Sequence, residues 1–129
     1  MVYGSGVDII EVERVKRAVK RWGDTFLKKI FTDNEIDYSQ KRRFAYQHLA
    51  ARFAAKEAVL KAFGGGWSRS LPWKDVEIIN DKNGKPNIRL HGEAKRIYDK
   101  KSIEKIAVSM SHTKNYAVAS AILVKRGSS

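Results

Sequence analysis

Apolar positions recur along this chain with two different periods, and the switch between them divides it. From Val12 onward, Val12, Val15, Val19, Trp22 and Phe26 are spaced three, four, three and four apart, the stripe of an amphipathic helix. Gly23 and Asp24 interrupt it as a helix stop followed by a new N-cap. Ahead of the stripe, VYGSGVDII is apolar, β-rich and twice broken by glycine, and predicts a short strand ending near Asp8. Thr32 and Glu35 in TDNE have the spacing of a capping box and predict another short helix. Residues 42–63 read as one long helix, stopped by Gly64-Gly65-Gly66. Beyond it the period becomes that of strands. VEIIND and KPNIRL flank Asn83-Gly84, a hairpin signal. HGEAKRIYDKK predicts a surface helix, and KIAVSMSHTKNYAVASAILV predicts two strands joined by a turn near His112–Asn115. The expected fold is α+β, an antiparallel sheet with a long central helix.

That long helix is apolar almost all round. Wrapped at about 100° per residue from Phe53, Leu49, Tyr46 and Leu60 fall within about 40° of it, while Ala51, Ala55, Ala58, Val59 and Ala62 cover the far side. Such a helix belongs in the interior. Yet FAAKEAVLK, with Arg52 before it, carries charges: Glu57 and Lys61 one turn apart, and Arg52 and Lys56 on the other flank. Buried charges are unfavourable unless paired or bound to an ion. A surface i,i+4 pair contributes only a few tenths of a kcal/mol, which gives no reason to place one here. A carboxylate beside ammonium and guanidinium groups suits a metal–diphosphate site, the carboxylate on Mg²⁺ and the cations on phosphate. Magnesium takes one or two carboxylates, and Asp8 is the candidate for the second. Capping of the following helix is the competing reading of Asp8. His112, in SHTKN, is a candidate phosphate or hydroxyl ligand; the stretch lacks the glycines of a nucleophile elbow.

Composition narrows the picture. The 129 residues, 43% hydrophobic and 31% charged, fit one folded domain over 1–129 with a real core. With no cysteine there is no disulfide, thiolate metal site or Cys nucleophile. No apolar run reaches the roughly 20 residues of a membrane span and no signal-peptide core opens the chain, so a soluble cytoplasmic protein without membrane association is expected. The formal charge of +12 draws a polyanion. Half of it lies between Arg14 and Lys29. Arg14, Arg17, Arg21 and Lys28 would share a face if the helix continued past Gly23, either as a solvated surface or as a dock for an acidic partner. A small RNA- or ribosome-binding protein is the rival reading. Trp22 and Phe26 fall on the apolar stripe instead of among the basic residues, which counts against a stacking platform and makes nucleic acid the less expected partner.

Three segments taken together resemble a known family. GVDII with Asp8, RFAAKEAVLKAFG with Glu57 and Lys61, and SMSHTKNYAVASAIL are similar, in this order and spacing, to the holo-acyl-carrier-protein synthases, the small class of phosphopantetheinyl transferases. NGKP at 83–86 extends the likeness, which spans essentially the whole chain. The resemblance implies transfer of phosphopantetheine from coenzyme A to a serine of apo-acyl carrier protein, with Mg²⁺, and release of adenosine 3′,5′-bisphosphate. It implies a homotrimer with sites in the clefts between subunits. Asp8 and Glu57 would hold Mg²⁺, and Lys61 would meet the diphosphate. Arg52, His112, Thr113 and one of Lys41, Arg42 and Arg43 (Arg43 taken first) would meet the nucleotide phosphates. Asn83, Gly84, Lys85 and Pro86 would form a loop over the adenine. Arg14, Arg17, Arg21 and Lys28 would receive the acidic carrier protein. Glu57 or a metal-bound water would take the serine proton, and Lys56 is left without a role.

Overall fold

The computed structural model describes residues 1–64 and 70–127. Strand β1 (Val2–Glu11) runs into α1 (Val12–Trp22), followed by α2 (Asp24–Ile30), α3 (Asp33–Gln40) and the long α4 (Ala45–Phe63). A 3-10 turn (Trp73–Asp75) leads to β2 (Val76–Asn80), β3 (Pro86–Leu90), α5 (Gly92–Lys100), β4 (Ile103–His112) and β5 (Tyr116–Lys125). This is the α+β class expected. The strands form two antiparallel sheets, β1-β5-β4 and β2-β3.

Helix α4 lies across the three-stranded sheet, and small residues let it lie close. Ala117, Ala119 and Ala121 of β5 are buried on the helix side, and Ala54, Ala55, Ala58 and Ala62 are buried on α4. Strand β1 approaches further. A Cβ on Gly4 would sit 2.0 Å from the Ala62 carbonyl oxygen, and one on Gly6 would sit 2.1 Å from that of Ala58. Glycine at both positions lets strand backbone rest directly on helix backbone. The outer face of the same sheet is apolar as well, with Val7, Ile9, Val118 and Ile122 exposed.

Several local expectations change. Strand β1 continues past Asp8 to Glu11. Helix α4 starts at Ala45 and not at 42, because Phe44 has a non-helical backbone (φ −110°, ψ 64°) and Arg42 folds back, its Nη1 donating to the Tyr38 carbonyl at 2.9 Å. Trp22 leaves the apolar stripe: α1 stops at Gly23, whose φ is 56°, and the indole overhangs the core at 55% exposure with the Arg21 guanidinium 4.9 Å over it. That break also puts Lys28 on α2, off the face of Arg14, Arg17 and Arg21. The β2–β3 loop spans 81–85, held by the Asp81 carboxylate, which accepts from the Asn83 and Lys85 amides at 2.8 and 2.9 Å. Gly64 ends α4 as expected; Gly65 and Gly66 lie outside the described residues. The capping box of Thr32 and Glu35 forms at the start of α3.

Candidate active site

The alternation of β1 turns Asp8 and Ile10 toward α4, and the Gly4–Gly6 approach brings Asp8 over the last turns of that helix. There Lys61 Nζ donates to Asp8 Oδ1 at 3.0 Å and to the Val7 carbonyl at 3.3 Å. Lys61 thus pairs across to the strand, in place of the i,i+4 pair with Glu57. Burial pushes the Glu57 carboxyl above its usual range, the nearby charge of Asp8 adds to the rise, and Lys61 opposes it. Two carboxylates close enough to repel, with oxygen as their only donor atoms, suit a hard divalent cation, which removes the repulsion by sitting between them. Among the described residues no group of three or more His, Cys, Asp or Glu is placed to hold a metal, so the protein's share would be these two carboxylates. That is the ligand count usual for Mg²⁺ and not for a structural zinc.

A second cluster forms around the other half of α4. His112 ends β4 and does not sit in the turn; its Nδ1 lies 2.9 Å from Gln47 Oε1. Its ring meets His48 edge-on at 4.8 Å, and His48 meets Tyr38 at 6.1 Å. Arg42 and Arg52 lie over the Tyr38 ring at 3.3 and 3.9 Å. Arg52 is buried, bonds through Nη2 to Asn80 Oδ1 and leaves its Nε without a partner. Asn80 in turn donates to the Gly84 carbonyl at 3.0 Å, linking Arg52 to the hairpin loop. Burial holds His48 below its usual value, and the charges of His112, Arg42 and Arg52 lower it further. The cluster is an excess of cation, the setting an anionic ligand would relieve.

Other predicted residues lie at its margins. Arg43 stacks near Phe44 at 5.2 Å and, with Lys16, Tyr46, Gln47 and Lys114, lines a groove of about 560 Å³. Thr113 closes the β4–β5 turn, its Oγ1 accepting from the Tyr116 amide at 3.1 Å. Asn83, Gly84 and Lys85 are exposed in the hairpin loop and Pro86 opens β3. Within one chain the Gln47–His112 end of this cluster stays apart from Glu57: Gln47 precedes it by ten residues on α4, about 15 Å along the helix, with Arg52 between them.

The family model of the 4′-phosphopantetheinyl transferase superfamily matches residues 4–121. The chain belongs to that superfamily. The holo-acyl-carrier-protein synthase of Ruminiclostridium cellulolyticum is 50% identical over 119 residues, covering 92% of this chain and 89% of the relative. A crystal structure of the Neisseria meningitidis holo-acyl-carrier-protein synthase superposes with a TM-score of 0.85 at 29% identity, covering 97% of this chain and all of that one (100%). The Bacillus anthracis synthase, in complex with coenzyme A (3′,5′-ADP), gives 0.79 at 32% identity, with 98% and 99% of the two chains covered. The chain is accordingly an enzyme of the holo-acyl-carrier-protein synthase type.

The sequence reading proposed Asp8, Glu57 and Lys61 as the catalytic set, and the fold brings those three together. It did not point to Tyr38, Gln47, His48 and Asn80, which the fold gathers around Arg52 and His112. His48 stands one turn before Arg52 on α4 and could have been found from that spacing. Tyr38 and Asn80 come from α3 and β2, and no local pattern points to them. Lys56, left without a role by the sequence, is fully buried (0%) and forms an ion pair with Glu35 Oε1 at 2.7 Å. Burial lowers its ammonium below the usual lysine value, and Glu35 opposes the fall.

Proposed function

We propose that this transferase moves the 4′-phosphopantetheine group of coenzyme A to a serine hydroxyl of an apo-acyl carrier protein, releasing adenosine 3′,5′-bisphosphate, with Mg²⁺ held by Asp8 and Glu57. The observation that carries this reading is the convergence of Asp8, Glu57 and Lys61 from a strand and a helix far apart in sequence. Bound there, Mg²⁺ would supply charge neutralisation at the diphosphate. Lys61, whose side chain is about half exposed (48%), can swing from Asp8 to the phosphate oxygens and stabilise the charge that grows on the leaving group. Glu57 or a water beside it takes the serine proton. Coenzyme A as donor is supported by the Bacillus anthracis complex. The cationic cluster of Arg52 and His112, with Arg43 and Thr113 beside it, suits the nucleotide phosphates, and the 83–86 loop suits the adenine.

The separation of the two clusters supports a cleft between subunits, and the exposed apolar outer face of the sheet supports the homotrimer that would create it. The basic face of α1 suits an acidic carrier protein, and a single catalytic domain working in the cytoplasm fits this chemistry.

The test is the reaction itself. Purified chain, coenzyme A, Mg²⁺ and an apo carrier protein should give a carrier heavier by one phosphopantetheine arm. Asp8→Asn and Glu57→Gln should each lower kcat by about 10²-fold or more. A fully active Asp8→Ala/Glu57→Ala double variant would overturn the proposal.

A further inference from the structure

Lys56 takes no part in the reaction above, yet its ammonium is bonded on every side. It donates to Glu35 Oε1 at 2.7 Å, to the Val76 carbonyl at 2.5 Å and to the Trp73 carbonyl at 3.2 Å, which uses all of its N–H donors. Glu35, also fully buried (0%), is bonded through both of its oxygens. Its Oε1 further accepts from the Thr32 amide at 2.8 Å, and its Oε2 accepts from the Ile78 amide at 2.8 Å. One buried point therefore joins the N-cap of α3, the 3-10 turn, β2 and α4. One turn earlier Arg52 is tied to the same strand through Asn80. Against β1, α4 rests on Gly4 and Gly6. The helix cannot turn about its axis without breaking one contact or closing on the other.

This matters one residue further on. Neighbours on a helix keep a fixed 100° step, so the azimuth of Lys56 sets that of Glu57. A rotation of about 20° would swing a glutamate carboxylate by about 2 Å, as much as a whole Mg–O bond. Replacing a buried ion pair by apolar side chains of the same volume is often neutral or stabilising, so stability alone gives no reason for this one, whereas its directional bonds hold α4 in one orientation. We infer that Lys56 is a positioning residue, and that the buried Lys56–Glu35 pair fixes α4 so that Glu57 faces Asp8 across the cation site. The inference rests on the reading of Asp8 and Glu57 as metal ligands.

Manganese binding, followed by electron paramagnetic resonance on the whole chain, tests it without recourse to activity. The parent should bind Mn²⁺ and Glu57→Gln should lose it. Lys56→Met/Glu35→Gln, which leaves no unpaired buried charge, should unfold cooperatively yet bind Mn²⁺ about tenfold more weakly or worse. Glu35→Asp keeps both charges and pulls the anchor back by one methylene; it should weaken Mn²⁺ about threefold or more. Ile97→Ala, a truncation of the buried core on α5, should melt earlier yet keep Mn²⁺ affinity within about twofold. Parental affinity in a folded Lys56→Met/Glu35→Gln overturns the inference; if that variant does not fold, parental affinity in Glu35→Asp overturns it. A parent that ignores Mn²⁺, or binds it equally with Glu57→Gln, refutes the metal reading itself and the inference with it.

Discussion

Glu57 shows how the side chain of a proposed metal ligand is held at a cost to the fold. Burial, then the charge of Asp8, raise its carboxyl pKa against the pull of Lys61. The folded chain therefore binds that proton more tightly than the unfolded chain does. Ionised Glu57 destabilises the metal-free protein once the pH has risen through the folded value, and the penalty is absent below the unfolded carboxylate pKa of about 4.3. Glu57→Gln should accordingly melt a little higher than the parent near about pH 8 without metal, and the difference should vanish near about pH 4, as read by differential scanning calorimetry. The gain is small because the side chain is only partly buried. A lower melting temperature for Glu57→Gln at the higher pH would show that the carboxylate stabilises the fold instead. Residue type and spacing made Glu57 and Asp8 legible in the sequence. Lys56, only one position away, was not legible, because its partners Glu35, Trp73 and Val76 come from three other segments.

The docking role proposed for helix α1 rests on one exposed face. Arg14, Arg17 and Arg21 are exposed while Val12 and Val15 are buried opposite them, so the stripe read from the sequence holds for the first turns. It fails at the end, where Gly23 stops the helix and leaves Trp22 in solvent. Trp22 thereby ceases to count against an RNA platform, whereas Phe26 stays packed on the core. Arg14→Glu/Arg17→Glu should weaken capture of the carrier protein by about tenfold or more, with KM for coenzyme A held within about twofold. Lys28→Glu, on the separate helix α2, should do less. Equal losses for carrier and cofactor, measured by steady-state kinetics, would reject α1 as the docking element. Helix α4 was more legible than α1 because its alanines and leucines bury it on nearly every side, and only its start shifted.

For the molecule as a whole, the three-stranded sheet is sandwiched on one side only. Alanines and glycines let α4 cover the inner face, and Val7, Ile9, Val118 and Ile122 leave an apolar outer face on an antiparallel sheet that would ordinarily be polar there. Ile9→Glu/Val118→Glu should leave the circular dichroism unchanged and convert the proposed homotrimer to a particle of 14.7 kDa by sedimentation, with loss of transfer activity. A parent that already sediments at that mass would remove the inter-subunit cleft. No helix among the described residues is long and apolar enough to cross a membrane.

The sequence by itself determined the α+β class, the buried nature of α4 and the capping of α3, and it singled out the two carboxylates and the lysine of the proposed site. These are local quantities, set by the period of apolar residues, by side-chain chemistry and by spacing along one element. The tertiary structure decided that Lys61 meets Asp8 and not Glu57, that Arg52 shares Tyr38 with Arg42, and that Lys56, left without a role by the sequence, pairs with Glu35 in the interior. Each depends on how near two backbones lie. Here that distance follows from glycines whose missing side chains let β1 touch α4, and from a buried ion pair whose members are remote in sequence.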